Sequence, residues 1–304
     1  MTMTTKGARR RLATLGLGLG AGLLSQPACA QDSAWTLAAT YTADVAGPVS
    51  GGVSQAGKFL DNLLIEGDLD LDKALGWTGA TAHVSLLNNS GGAPNDIAGT
   101  LQGIDNIEVA RPRAKIYEAW AQQDFGRASV RVGIYDLNSE FYTTDAAGQL
   151  ISPAFGIGSE LAATGPNGPS IFPSTALALR FRLTPSDATY VQAAALNANA
   201  GGHRRPRRRR HRVRRRRPAD RRGRPDSALS FGVAYGGLST KFQQTLAAGG
   251  VSAETSESTL ELTYADKVAP RLTLQPSVQY VIHPGGDRDA DPALVLALRV
   301  SIDL

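Results

Sequence analysis

Leu294-Val295-Leu296-Ala297-Leu298-Arg299-Val300-Ser301-Ile302-Asp303-Leu304 alternates without a break. Leu294, Leu296, Leu298, Val300, Ile302 and Leu304 share one parity. Val295, Ala297, Arg299, Ser301 and Asp303 share the other. Successive side chains on a strand point to opposite faces, so the stretch predicts a strand with one apolar and one mostly polar face. It runs to the last residue, as expected of an all-β, transmembrane antiparallel β-barrel of the outer-membrane type.

The start of the chain predicts the same compartment. Lys6, Arg9, Arg10 and Arg11 form a cationic segment, and Leu12 to Leu24 is an apolar run rich in Gly, Ala and Leu. Ala28-Cys29-Ala30 has the small-x-small form of a cleavage site, so residues 1–30 read as a signal peptide. The run is too short to span a bilayer, which takes about 20 residues. Gln26 stands where a lipoprotein signal wants Leu. Cys29 is the single cysteine, so the processed chain is expected to lack disulfides, thiol catalysis and cysteine-held metal.

The net charge of +5 conceals two opposed parts. Residues 203–226 hold 14 Arg and two Asp. Outside that stretch and the signal peptide, 14 basic residues face 25 acidic ones, so the body of the chain is acidic. Hydrophobic residues make up 42% of the sequence, yet no later apolar run is long enough for a transmembrane helix, which fits apolar residues spread over alternate positions.

Strands are predicted at 34–45, 60–72, 77–87, 115–125, 129–135, 176–183, 189–197, 229–235, 258–264, 271–282 and 294–304, eleven or twelve in all. In Leu60 to Asp72, Ile65, Gly67, Leu69 and Leu71 oppose Glu66, Asp68, Asp70 and Asp72. In Lys115 to Phe125, Tyr117, Ala119, Ala121 and Phe125 oppose Glu118, Gln122 and Asp124, with Trp120 on the polar side. Pro276 costs a ladder bond and predicts a bulge or a local opening. Residues 97–107 predict a short helix or inserted loop, and 240–246 a short helix. Residues 136–174, rich in Gly and Pro, form a loop long enough to carry function, and in barrels such a segment can fold inward and narrow the channel. No dinucleotide fingerprint, P-loop, zinc motif or nucleophile elbow is present, and no catalysis or cofactor is expected. The four histidines have no ligand-like spacing.

With the strands in place, the sequence resembles the carbohydrate-selective porins of the OprB type. The resemblance rests on Gly133-Ile134-Tyr135-Asp136-Leu137-Asn138-Ser139-Glu140-Phe141, on Pro153-Ala154-Phe155-Gly156-Ile157-Gly158, and on Gly165-Pro166-Asn167-Gly168-Pro169-Ser170-Ile171-Phe172-Pro173. Near the end it rests on Leu260-Glu261-Leu262-Thr263-Tyr264, on Leu272-Thr273-Leu274-Gln275-Pro276, and on Gln279-Tyr280-Val281-Ile282-His283-Pro284-Gly285-Gly286. It spans residues 35–199 and 229–304. It implies a sixteen-stranded barrel in the bacterial outer membrane that passes small sugars by diffusion. This chain departs from that pattern in its strand number, its final Leu304 and the Arg-rich stretch.

A dense run of Arg cannot face lipid, where each Arg costs about 2–4 kcal/mol at the midplane. Nucleic-acid binding, a lipopolysaccharide-binding loop and a solvated loop are alternatives. No aromatics are interleaved for base stacking, so no nucleic-acid partner is expected. Arg, Pro, His, Gly and Ala are what GC-rich DNA yields out of frame. A frameshifted or deleted stretch within 31–304 is therefore the favoured expectation.

Alternation makes Arg131, Arg180 and Arg182 inward donors for sugar hydroxyls. It makes Glu66, Asp68, Asp70, Glu118, Glu261, Gln275 and Gln279 inward acceptors or donors. Expected partners are small sugars, outer-membrane lipid and lipopolysaccharide, and the barrel assembly machinery, with the protein a monomer or trimer. The alternatives are a non-selective or structural barrel, a soluble secreted β-rich sugar-binding protein or hydrolase, and a product that fails to assemble.

Overall fold

The computed structural model describes residues 33–144, 146–162, 168–197 and 227–304. The predicted signal peptide and the Arg-rich stretch lie outside the described residues. Among the described residues, eleven strands form one antiparallel sheet: β1 (Trp35–Ser50), β2 (Lys58–Asp70), β3 (Ala80–Gly91), β4 (Arg113–Phe125), β5 (Ala128–Tyr135), β6 (Ala176–Ser186), β7 (Thr189–Leu196), β8 (Ser227–Gly237), β9 (Ser256–Ala269), β10 (Leu272–Ile282) and β11 (Ala293–Asp303). Short helices are α1 (Leu71–Leu75), α2 (Pro94–Ala98), α3 (Ser159–Ala162) and α4 (Thr240–Ala248). Among the described residues no helix is long and apolar enough to cross a membrane.

The order is β7-β6-β5-β4-β3-β2-β1-β11-β10-β9-β8, so the first strand pairs with the last and β7 and β8 are the edges. Each strand is antiparallel to its neighbours, and the connections alternate between one rim with long loops and one with short turns. Both β7 and β8 run toward the long-loop rim. Antiparallel closure therefore requires an odd number of strands between them. Five strands separate eleven from the sixteen that the resemblance implies, and five is odd.

Register decides the faces. Asp44 pairs with Arg299 and with Leu60, and Val45 pairs with Leu298 and with Phe59. Paired residues share a face, so Asp44, Arg299 and their parity line the inner side, and Leu298 and its parity form the outer side. The outer wall carries exposed Leu177, Leu179, Phe181, Phe231, Val233, Leu296 and Leu298. Buried polar groups such as Asp44, Arg180, Glu257, Glu261 and Gln279 lie on the inner side.

Two local predictions change, and a third resolves to one of its two alternatives. The strand expected to run to Asp72 stops at Asp70, whose side chain accepts hydrogen bonds from the amides of Asp72 and Lys73 and caps α1. Tyr117, predicted on the apolar side, turns inward. Ser85 pairs with Glu118 and Leu86 with Ile116, so Tyr117 is the extra residue of a β-bulge, and its hydroxyl donates to Asp136. At Pro276 the ladder to β9 opens without a change of register: Leu274 pairs with Asp266 and Ser277 with Thr263, and the residues between have no partner there.

Candidate functional site

The inner face divides into two walls. Two loops fold over the β9–β11 wall. Glu257 of β9 accepts the backbone amides of Leu101 at 2.8 Å, Gln102 at 2.8 Å and Gly285 at 2.8 Å. Four residues on, Glu261 accepts the amides of Ile151 at 2.7 Å and Ser152 at 2.9 Å and the hydroxyl of Ser277 at 2.8 Å. Gln279 donates to the carbonyl of Ile104 and Gln275 to that of Gln149. These acidic and amide side chains share the inner face, so each meets loop backbone that would otherwise be buried without a partner.

The loops also hold one another. The Asn106 amide donates to the Ile151 carbonyl at 2.9 Å, and the Ser152 hydroxyl donates to the Gly103 carbonyl at 2.9 Å. Leu150 and Phe155 press on β8, where a Cβ added to Gly232 would lie 2.5 Å from either side chain. The loop that follows β5 thus crosses the concave side to reach β9, and the loop that follows β3 reaches β11.

The facing wall, β2 to β6, is built of charge and aromatic rings. Trp120 is held between His83, stacked at 4.9 Å between centroids, and Arg131, whose guanidinium lies 3.7 Å from the ring centroid. Gly133 pairs with Trp120 at φ 144°, and a Cβ there would sit 2.2 Å from the Ala119 carbonyl oxygen and 2.5 Å from the Trp120 Cα, so the close approach of the β4 backbone requires glycine. His83 Nδ1 lies 2.8 Å from Asp68, whose side chain is 56% exposed, and Nε2 lies 3.9 Å from Glu118. Asp68 is thus the carboxylate here that reaches open water. Glu66 pairs with Ser85 beside them, half-buried.

Above this row, Glu140 of the long loop reaches back to the wall. Arg180 donates to both its oxygens at 2.8 Å, Arg131 lies 3.5 Å away, and the Tyr135 hydroxyl donates at 2.7 Å. Burial pushes the Glu140 carboxyl up, but Arg131, the Tyr135 hydroxyl and Arg180 outweigh it and hold the group below the usual carboxylate range. Arg180 also donates to Ser129 and Gln122 and is 2% exposed, so its donors are spent on protein. Burial drives the Asp136 carboxyl above its ordinary value, against the Tyr117 hydroxyl and the Asn138 amide that donate to it.

Of the sequence-predicted lining residues, Glu66, Asp68, Glu118 and Arg131 come together on the β2–β5 wall. Arg182 lies apart on β6, its guanidinium 4.2 Å from the Tyr190 ring. Asp70 is a helix cap at the short-turn rim. Arg180 clamps the loop through Glu140. Glu261, Gln275 and Gln279 anchor loops. Sequence reasoning passed over His83, Glu140, Asp44, Arg299, Asp105 and Glu257. For His83, Asp44 and Glu257 the parity of their own strands was the available signal. Glu140 and Asp105 lie in loops that carry no periodicity.

An apolar outer wall, a charged inner wall and loops folded across the concave side define the wall of a transmembrane β-barrel channel, unclosed between β7 and β8 among the described residues. The sequence matches the carbohydrate-selective porin, OprB family, over residues 54–216 and 219–304, and the chain belongs to that family. Its place is the bacterial outer membrane. The high-pH structure of Pseudomonas putida OprB superposes with a TM-score of 0.75 at 16% identity, covering 90% of this chain and 95% of that one. The low-pH structure of the same protein gives 0.48 at 14% identity, with 90% and 94% covered. Pseudomonas aeruginosa OpdK with vanillate gives 0.44 at 8% identity, with 89% and 98% covered. The first of these supports the shared fold. No curated protein matches the sequence.

Proposed function

We propose that sugars cross this channel by passive diffusion along the β2–β5 wall, past Asp68, Glu66, Glu118 and Arg131, with the clamped loops as the opposite side of the constriction. The observation that carries this reading is the His83–Trp120–Arg131 stack beside Asp68. It holds a cation and a carboxylate near one another where the loop cover ends: Arg131 lies beneath Glu140 of the long loop, whereas the Asp68 side chain stays 56% exposed. Trp120 spends its ring faces on His83 and Arg131, so a sugar is selected there by hydrogen bonds more than by stacking. Binding stays weak, because conduction needs exit as well as entry. No chemical step is invoked, and the channel acts without catalysis.

In the same reading, outer-membrane lipid and lipopolysaccharide cover the outer wall, and the barrel assembly machinery inserts the chain. Residues 1–30 are removed on export, and 203–226 replace strands lost by frameshift or deletion. Resequencing the gene addresses the last point, and an intact frame with the same Arg codons removes it. Liposome swelling tests the transport reading. Glucose is expected to enter faster than an amino acid of matched size, and Arg131→Ala is expected to narrow the difference. Equal rates for both solutes in the unaltered protein make it a non-selective pore.

A further inference from the structure

One buried cluster has too many acids for its cations. Asp105, from the loop between β3 and β4, has a fully buried side chain at the junction of that loop with β1 and β11. Asp44 of β1 is also fully buried there. Arg299 of β11 binds Asp44 through both its Nε and its terminal nitrogen, at 3.0 and 2.6 Å, and donates to Asn106 at 2.6 Å. Its terminal nitrogen is 3.6 Å from Asp105. Asp105 Oδ1 accepts the Ile107 amide at 3.0 Å, while Oδ2 has no hydrogen-bond partner. The same Arg299 nitrogen thus has a carboxylate oxygen of Asp44 at 2.6 Å and one of Asp105 at 3.6 Å. Glu261, from β9, adds a further carboxylate near Arg299. Two buried carboxylates beside one guanidinium are relieved when one of them carries a proton.

We propose that Asp105 carries a proton beside the Asp44–Arg299 pair, and that this proton latches the loop between β3 and β4 against the barrel wall, so that the constriction is tightest in acid and loosens as the proton is lost. The inference rests on the channel reading only in what the loop narrows; the latch itself is a property of the folded chain. Burial, then the Asp44 charge, raises the Asp105 carboxyl from 3.8 to about 8, against the pull of Arg299. The sign follows. Between those two values the docked loop holds a proton that the released loop has given up. Raising pH across this window favours release by roughly tenfold per unit, and above about 8 the effect levels off.

Hydrogen exchange of the refolded full chain in detergent reads this without any transport assay. After correction for intrinsic rates, protection of the Leu101, Gln102, Asn106 and Ile107 amides is expected to fall between pH 5 and pH 7. Asp105→Asn is expected to reduce that slope by about tenfold per unit. Asp44→Asn is expected to do the same, because an ionised Asp105 then has Arg299 to itself; it serves if the first variant does not fold. Protection that is flat in the unaltered chain, or equally steep in both variants, overturns the latch. A latch that is intact in a pore without sugar preference overturns only the selectivity.

Discussion

The β9–β11 wall and the β2–β5 wall start from the same pattern, a strand with polar residues on every second position, and end in opposite states. On β9, Glu257 and Glu261 are fully buried, and each accepts hydrogen bonds from the backbone of a distant loop. On β2, Asp68 stays mostly in water and shares a single histidine. The difference is in what covers the strands. Alternation delivers a carboxylate to the inside, and the loops decide whether it becomes structure or a charge in the channel. A carboxylate that accepts several amides is costly to remove, because the amides stay buried and unpaired. An exposed pair contributes about 0–1 kcal/mol.

The largest break in this comparison comes from Arg180, which clamps the long loop to the β6 side. Arg180→Ala leaves Glu140 buried without its bidentate partner and should cost about 3–5 kcal/mol. The measurement is the temperature at which the folded band converts on heat-modifiable electrophoresis. The double change Arg180→Met with Glu140→Gln should recover most of the loss, and no recovery would point to packing in place of charge. Glu261→Ala is next, since it strands the Ile151 and Ser152 amides. A cost of about 2–4 kcal/mol is expected, together with faster entry of sugars too large for the unaltered protein in liposome swelling. Stability loss without a wider pore would separate that anchor from the constriction.

On the outer wall, Leu298→Arg places a charge in lipid and should cost about 2–4 kcal/mol if the site lies near the midplane, read by urea unfolding in bilayers. The value falls toward zero at the rim, so a series from Leu296 to Ile302 would map depth along β11. The smallest effect on stability is expected at Asp68. Asp68→Asn should change stability by less than about 1 kcal/mol, yet lower the cation-over-anion permeability ratio measured by reversal potential. An unchanged ratio would mean that Asp68 is not in the ion path.

The eleven strands were legible because a period of two is a local signal. Leu177, Leu179 and Phe181 face out, and Arg180 faces in, wherever the strand is placed. Parity also put Glu66, Asp68, Glu118 and Arg131 on the inner face before any pairing was known. It failed at Tyr117, because a bulge is set by the register of two strands, and at Asp70, where helix capping competes with the ladder. It could not separate Glu261 from Asp68.

The sequence by itself determined the alternating faces and the acidic inner surface. Only the tertiary structure decided which inner carboxylates anchor loops and which meet water. Glu261 meets Ile151 across 110 positions of sequence, and Glu257 meets Leu101 across 156. Strand alternation is written in neighbouring residues, whereas those contacts exist only after the sheet has curved and brought distant backbone amides to buried acids.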